Sequence, residues 1–248
     1  MTKDTVIQGE QGLKTRNYRY LDIITAVFTL VLALSNIASS AKLIDWGVKI
    51  VGLPLIFDAG TLFFPVAYIF GDVLTEVYGF ARARRVIWIG FISLIFTALM
   101  FWLIQQLPGE AGWLSSVSQQ AYDGVLGGIS SGRIVLASIL GYLSGSFSNA
   151  FTMAVMKHRT KGRLLWVRTI GSTIIGEFLD TFIFVLIASL TRVFPWELYW
   201  TLVVTNYIFK VSVEVILTPL TYWVTAKLKH SEGLDVYSDL GDLNPLKL

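Results

Sequence analysis

Six stretches of mostly apolar residues constrain this chain more than any other feature: Leu21–Ala41, Gly60–Tyr78, Val86–Gln106, Ile134–Met156, Leu165–Leu190 and Trp196–Ala226. At a rise of about 1.5 Å per residue, ~20 such residues cross the hydrocarbon core of a bilayer. In oil each backbone N–H and C=O must be satisfied within its own segment, so the expected fold class is all-α: a polytopic membrane protein with six transmembrane helices. Composition agrees, since 54% of the 248 residues are hydrophobic and 15% are charged, which is too apolar for a soluble domain of this length. Two intervening segments, Lys42–Ala59 and Leu107–Gly132, read as outer loops with partly interfacial helices. The last span is long enough to tilt. Pro219 interrupts its ladder, and Thr218 and Thr221 are placed to satisfy freed backbone groups.

Lysine and arginine sort by side. Fifteen lie in the N-terminal tail (Lys3, Lys14, Arg16, Arg19), the second-to-third loop (Arg82, Arg84, Arg85), the fourth-to-fifth loop (Lys157, Arg159, Lys161, Arg163, Arg168) and the tail after the sixth span (Lys227, Lys229, Lys247). The alternate loops hold four: Lys42, Lys49, Arg133 and Arg192. This bias places both termini in the cytoplasm and fits six spans. Residues 1–19 are expected to form a cytoplasmic tail, 20–229 the membrane domain and 230–248 a second cytoplasmic tail. The N-terminus lacks the apolar core and cleavage site of a signal peptide.

The same residues exclude several functions. There is no cysteine, hence no disulfide or thiolate metal site. The two histidines, His158 and His230, sit in basic, polar surroundings. No HExxH, nucleophile elbow or phosphate loop is present, so neither an enzyme nor a cofactor is expected. The basic residues form no single patch, so nucleic-acid binding is not expected.

Ionisable residues inside the spans are the candidate site. A carboxylate at membrane depth costs ~2.5–3.5 kcal/mol on insertion scales and is a functional group by default. The second span carries Asp72 and, near its cytoplasmic end, Glu76, which is placed to pair with Arg82, Arg84 or Arg85. The fifth carries Glu177 and Asp180, three apart and so on one helix face. In the sixth, Asn206, Lys210 and Glu214 form a stripe at four-residue spacing, in which Lys210 can pair with Glu214 along its own helix. Asn149 in the fourth span is a ligand or helix-to-helix glue. Ser138, Gly141, Gly145 and Ser148 make a small-residue packing face. Gly71–Glu76 (GDVLTE) and Gly176–Thr181 (GEFLDT), in corresponding spans, suggest an inverted three-plus-three repeat with a midplane site. Tyr68, Tyr78, Tyr207 or Trp166 could stack on a planar ligand.

Gly71–Phe91 (GDVLTEVYGFARARRVIWIGF), with GEFLDT and the Asn206-x3-Lys210-x3-Glu214-x4-Pro219 stripe, resembles the queuosine-precursor transporter family, bacterial inner-membrane proteins of the wider vitamin-uptake-transporter group. The resemblance runs from about Tyr20 to Lys229, and its most specific element is the D-V-x-T-E-x-Y-G run. It implies a six-helix permease that imports deazaguanines, chiefly 7-cyano-7-deazaguanine, through the lipid bilayer. A deazaguanine offers a ring N–H and an exocyclic amine beside a carbonyl. A buried carboxylate accepts both donors at once, and an ammonium or amide meets the carbonyl. Glu177 and Asp180 facing Asn206 and Lys210 suit those roles, with Asp72 as support or proton carrier.

The principal rival is the substrate-binding subunit of an energy-coupling-factor vitamin transporter. Such a subunit works with a partner ATPase and shows an Ala-x3-Ala motif in its first span, where this chain has Ala33 followed by Ile37. A second rival is a non-transporting enzyme or structural membrane protein whose acids merely pack. The residues do not choose between facilitated diffusion and proton symport, and they leave the oligomeric state open.

Overall fold

The computed structural model describes residues 6–8, 18–50, 52–130, 132–238 and 240–247. Most of the N-terminal tail, including Lys3, Lys14 and Arg16 of the charge count, lies outside them. A strand β1 (Val6–Gln8) precedes helix α1 (Leu21–Ala41), strands β2 (Leu43–Ile50) and β3 (Leu53–Asp58), and helices α2 (Phe64–Val73), α3 (Phe80–Gln106), α4 (Ala111–Ser116), α5 (Gln119–Ser130), α6 (Arg133–Arg159), α7 (Leu165–Leu190) and α8 (Tyr199–Glu232); strand β4 (Asp235–Tyr237) follows. The protein is an all-α polytopic membrane protein, with five helices long and apolar enough to cross a bilayer among the described residues. Ile92, Phe96, Leu99 and Leu103 form an exposed apolar stripe on α3, a surface suited to lipid rather than water.

The second expected span differs from a single helix. It is a composite of a 3-10 turn (Ala59–Leu62), α2 and a π-helical turn (Leu74–Tyr78). The Asp58 carboxylate caps its start by accepting from Thr61 N at 3.2 Å, and Pro65 occupies the first turn of α2, where a missing N–H costs nothing. Gly79, with φ +82°, ends it. A Cβ there would meet Val236 Cγ1 at 2.8 Å, so the position needs glycine twice over. The composite runs antiparallel to α1. Gly60 O accepts from Ser35 Oγ at 3.0 Å, while Tyr78 shares the Glu232 carboxylate with the N–H of Tyr20. Fifteen residues of α1 separate those two levels, about 22 Å of rise.

Two further expectations are corrected. Lys42–Ala59 holds an antiparallel hairpin, β2 with β3, instead of interfacial helices. Its β-branched and aromatic residues favour a pleated surface. Gly47 (φ +68°) and Gly52 (φ +80°) break any helix, and the Gly47 N–H closes a turn on Asp45 Oδ1 at 2.8 Å. Phe57 stacks on Phe209 of α8, with centroids 4.7 Å apart, which seats the hairpin against the bundle. Secondly, Arg82, Arg84 and Arg85 lie within the first turns of α3, not in a loop, because Gly79 alone makes the connection. Between Leu107 and Gly132 lie the helices α4 and α5. Around Pro219, Thr218 Oγ1 donates to Glu214 O at 2.9 Å and Thr221 Oγ1 to Leu217 O at 3.4 Å.

α6 and α7 pack closely through small residues. A Cβ on Gly141 would stand 2.9 Å from Asp180 O, and one on Gly176 would stand 2.8 Å from Asn149 Cβ. The small-residue face is therefore the packing surface expected of it. After α8 the chain folds back. β4 pairs in parallel with β1, Ser238 Oγ accepts from the Phe80 N–H at 2.8 Å, and Leu234, Val236 and Leu243 are buried beneath Tyr78 and Phe80.

Candidate functional site

Lys210 reaches from α8 to α7. Its ammonium lies 2.7 Å from Asp180 Oδ2 and 3.3 Å from Thr181 Oγ1. Glu177 Oε2 is 3.2 Å away; this is an ion-pair contact without hydrogen-bond alignment, for that oxygen has no hydrogen-bond partner. The ammonium also stands 3.8 Å from the centre of the Phe64 ring of α2, a cation–π contact strengthened where water is excluded. Lys210 does not pair with Glu214 along α8. Helical side chains lean toward the N-terminus of their helix, so Lys210 extends toward Asp180 and away from the turn that carries Glu214. Both Glu214 oxygens are buried without a hydrogen-bond partner.

Asn149 Nδ2 on α6 donates to Asp72 Oδ1 on α2 at 2.8 Å. The second carboxylate oxygen, Asp72 Oδ2, and the amide oxygen, Asn149 Oδ1, are buried and unpartnered. Asn206 belongs elsewhere. The Thr61 hydroxyl lies 3.3 Å from Asn206 Oδ1 and 2.9 Å from Asp58 Oδ2, and Ser39 donates to Asp58 as well. Asn206 therefore helps anchor the start of the composite segment, and Asp58 of that cluster lies within electrostatic range of Lys210. All seven residues singled out in the sequence (Asp72, Asn149, Glu177, Asp180, Asn206, Lys210 and Glu214) are at most 5% exposed.

A cavity of about 30 Å³ lies between α1, α2, α3 and α6. At roughly 10–15 Å³ of such volume per molecule it holds about two waters. Tyr68, Thr75, Tyr142, Ser146, Asn149 and Asp180 give it a polar side, and Phe28, Leu32, Phe64 and Ile87 an apolar one. Asn149 and Asp180 thus line the cavity. Asp72 binds Asn149 and Lys210 binds Asp180 from behind, Glu177 touches Lys210, and Asn206 and Glu214 do not line it. Of the four aromatic candidates, Tyr68 is the one at the cavity. The Tyr78 hydroxyl bonds Glu232 at 2.9 Å, that of Tyr207 bonds Ile174 O at 3.2 Å, and Trp166 is exposed. Sequence reasoning missed Tyr142, Ser146, Phe64 and the α1 residues. An apolar or small residue in a span carries no mark of which neighbour it faces.

The floor of the cavity, Leu74 and Thr75, belongs to the π-helical turn, a feature common at functional sites. The next residue, Glu76, is fixed by cations other than the arginines of α3. Arg168 Nη2 of α7 is 2.9 Å from Glu76 Oε1, Lys229 Nζ of α8 is 2.6 Å away and Lys157 Nζ of α6 is 3.4 Å away. Lys157 also donates to Glu76 O at 2.6 Å. Asp235 Oδ1 completes the cluster, 2.7 Å from Lys157 and 2.8 Å from Lys229. Partial burial works against the Asp235 carboxylate, but the two ammonium groups outweigh it and hold its pKa below the ordinary carboxylate value. Glu76, with Asp235 beside it, thus gathers the ends of α6, α7 and α8 under the cavity.

The model of the family described as "Putative vitamin uptake transporter" matches residues 58–224. The chain belongs to this family. The matched region contains all seven candidate residues, whereas α1 precedes it and Lys229 and Asp235 follow it. A "Probable queuosine precursor transporter" of Bacillus subtilis is 30% identical over 175 residues, 70% of this chain and 71% of its own. The "Queuosine precursor transporter" of Escherichia coli is 23% identical over 236 residues, 94% of this chain and 97% of its own. A "Probable queuosine precursor transporter" of Haemophilus influenzae is 27% identical over 167 residues, 66% of each chain. No solved structure matches the chain. These relatives are named as transporters and not as enzymes, in line with the sequence reading, and this vitamin-uptake-transporter family member is a transporter of the membrane.

Proposed function

We propose that this transporter imports queuosine precursors, 7-cyano-7-deazaguanine and related deazaguanines, across the bacterial inner membrane, with both termini in the cytoplasm. The names of its relatives support the substrate class. The observation that carries the finer reading is the cavity where the Asp180 carboxylate, the Asn149 amide and the Tyr68 ring converge. Asp180 Oδ1 accepts the ring N–H and exocyclic amine of the base, and the Asn149 amide meets its carbonyl. The Tyr68 ring offers a stacking face. Lys210 and Glu177 act on the base through Asp180, holding its carboxylate in place, as Asp72 holds Asn149. A site built to pair these donors rejects analogues that lack them.

At its present volume the cavity does not admit a bicyclic base, so import requires the helices around it to part. The composite second segment, broken at its 3-10 and π turns, is the element suited to such movement. Discontinuous helices of this kind line sites at the midplane of other transporters.

The test is uptake of labelled 7-cyano-7-deazaguanine by purified protein in liposomes. Wild type takes up the label without an ATPase partner, and Asp180→Asn does not. Uptake that requires an added ATPase module would assign the chain to the energy-coupling-factor class instead. Unchanged queuosine in the tRNA of a deletion strain fed the cyano precursor alone would remove the substrate assignment.

A further inference from the structure

Four carboxylates, Asp72, Glu177, Asp180 and Glu214, share the buried interior of the spans with one ammonium, Lys210. Lys210 is engaged by Glu177 and Asp180. Glu76, one turn beyond Asp72, is balanced by Arg168, Lys157 and Lys229. Asp72 has an amide donor, from Asn149, and the Thr169 hydroxyl beside it, whereas Glu214 has two bare oxygens. Glu214 lies within electrostatic range of Asp72 on α2 and Glu177 on α7. Tyr68, at the cavity, lies within range of all four acids. A carboxylate without donor or counter-ion in so dry a place is far too costly to persist as an anion. A cation must accompany it. A proton meets that need at a single carboxyl oxygen, where it forms an O–H bond and needs no coordination shell.

We propose that Glu214, with Asp72 beside it, is a proton-carrying site that couples proton entry to import of the substrate. The Glu214 carboxyl forms its O–H bond with a proton from the outer side and gives that proton up on the cytoplasmic side once the substrate has left. The carrier turns neutral on loading and anionic on release, and no other reactant is consumed. Because Glu214 does not line the cavity, the proton and the base occupy separate places joined through Asp72, Asn149 and Tyr68. This rests on the import reading above.

Two measurements on the intact protein test it. In liposomes, a one-unit pH gradient, acid outside, drives labelled 7-cyano-7-deazaguanine toward an accumulation of about tenfold for each proton carried. Glu214→Gln retains exchange of labelled for unlabelled base but loses all response to the gradient. Wild-type exchange that ignores the pH gradient, or that responds to a sodium gradient instead, overturns the proton site and leaves the import reading intact. If wild type neither takes up nor exchanges the base, the substrate assignment has failed, and infrared spectroscopy of the purified protein still decides the proton site. The band of a buried protonated carboxyl group is present at neutral pH in wild type and lost in Glu214→Gln; its absence from wild type overturns the proposal.

Discussion

Lys210 of α8 and Asp180 of α7 form an ion pair of 2.7 Å across two helices, inside the part of the molecule that faces lipid on its outside. The pair links the stripe of α8 to the cavity, because Asp180 touches the cavity and Lys210 does not. In the import mechanism proposed above, its role is to aim a carboxylate.

Removing the ammonium should abolish that aim. Lys210→Met leaves two buried carboxylates without a cation, a loss of about 3–5 kcal/mol for a buried pair broken on one side. Uptake should fall steeply, because Asp180 loses the ammonium that holds it, while the protein still reaches the membrane. The check is initial uptake rate against the amount of protein in the membrane fraction. A wild-type rate would contradict the role of the pair.

The glycines between α6 and α7 should behave differently from a glycine facing the cavity. A Cβ on Gly145 would stand 2.6 Å from Asp180 Cβ, 2.8 Å from the Tyr68 hydroxyl and 2.9 Å from Gly176 O. Two of these atoms cannot rotate away, so Gly145→Ala should cost about 1–3 kcal/mol and displace Asp180. At Gly71 the nearest atom is Asn149 Nδ2 at 3.8 Å. Gly71→Ala should melt at or above the wild-type temperature, because alanine suits a helix better by about 0.5–1 kcal/mol. Thermal unfolding in detergent compares the two.

Glu76 should act as the bolt beneath the cavity. Glu76→Gln leaves Arg168 and Lys157, both buried, short of a counter-charge. The ends of α6, α7 and α8 should then separate more readily. The chain has no cysteine, so Ser146→Cys at the cavity gives a thiol without background. Its rate of modification by a charged reagent added on the cytoplasmic side should rise several-fold in the Glu76→Gln background. An unchanged rate would mean that the cluster is a structural anchor only.

The tie between β4 and the bundle should weaken in acid. The folded protein holds the Asp235 pKa below that of the unfolded chain, so the folded state binds fewer protons at this group. Its contribution is complete above the unfolded value of about 3.9 and disappears as pH falls through the lower folded value. Asp235→Asn keeps an acceptor oxygen but removes its charge, weakening hydrogen bonds to charged groups that are worth about 1.5–3 kcal/mol. Its melting temperature should lie below wild type at neutral pH, and the gap should close as the pH approaches the acid range.

Much of this was legible in the residues. Charge in oil is expensive, so Asp72, Glu177, Asp180, Lys210 and Glu214 announced themselves by depth alone, and three-residue spacing put Glu177 and Asp180 on the face that Lys210 meets. Hydropathy located the long helices to within a few residues, since a span must be apolar for its whole length. The segment at Lys42–Ala59 was misread because a short apolar run with β-branched residues fits a hairpin as well as an interfacial helix, and only its fit against Phe209 decides between them.

The sequence alone therefore determined that the chain is a helical membrane protein with acids and a lysine buried among its spans, because the cost of polar groups in hydrocarbon is local and can be read one segment at a time. The tertiary structure alone decided the partners: Lys210 with Asp180 rather than Glu214, Glu76 with Arg168 and Lys229 rather than its neighbours in the chain, and Asn206 with Thr61. Those choices depend on which faces meet when helices pack and on the lean of side chains along them, and no single segment contains that information.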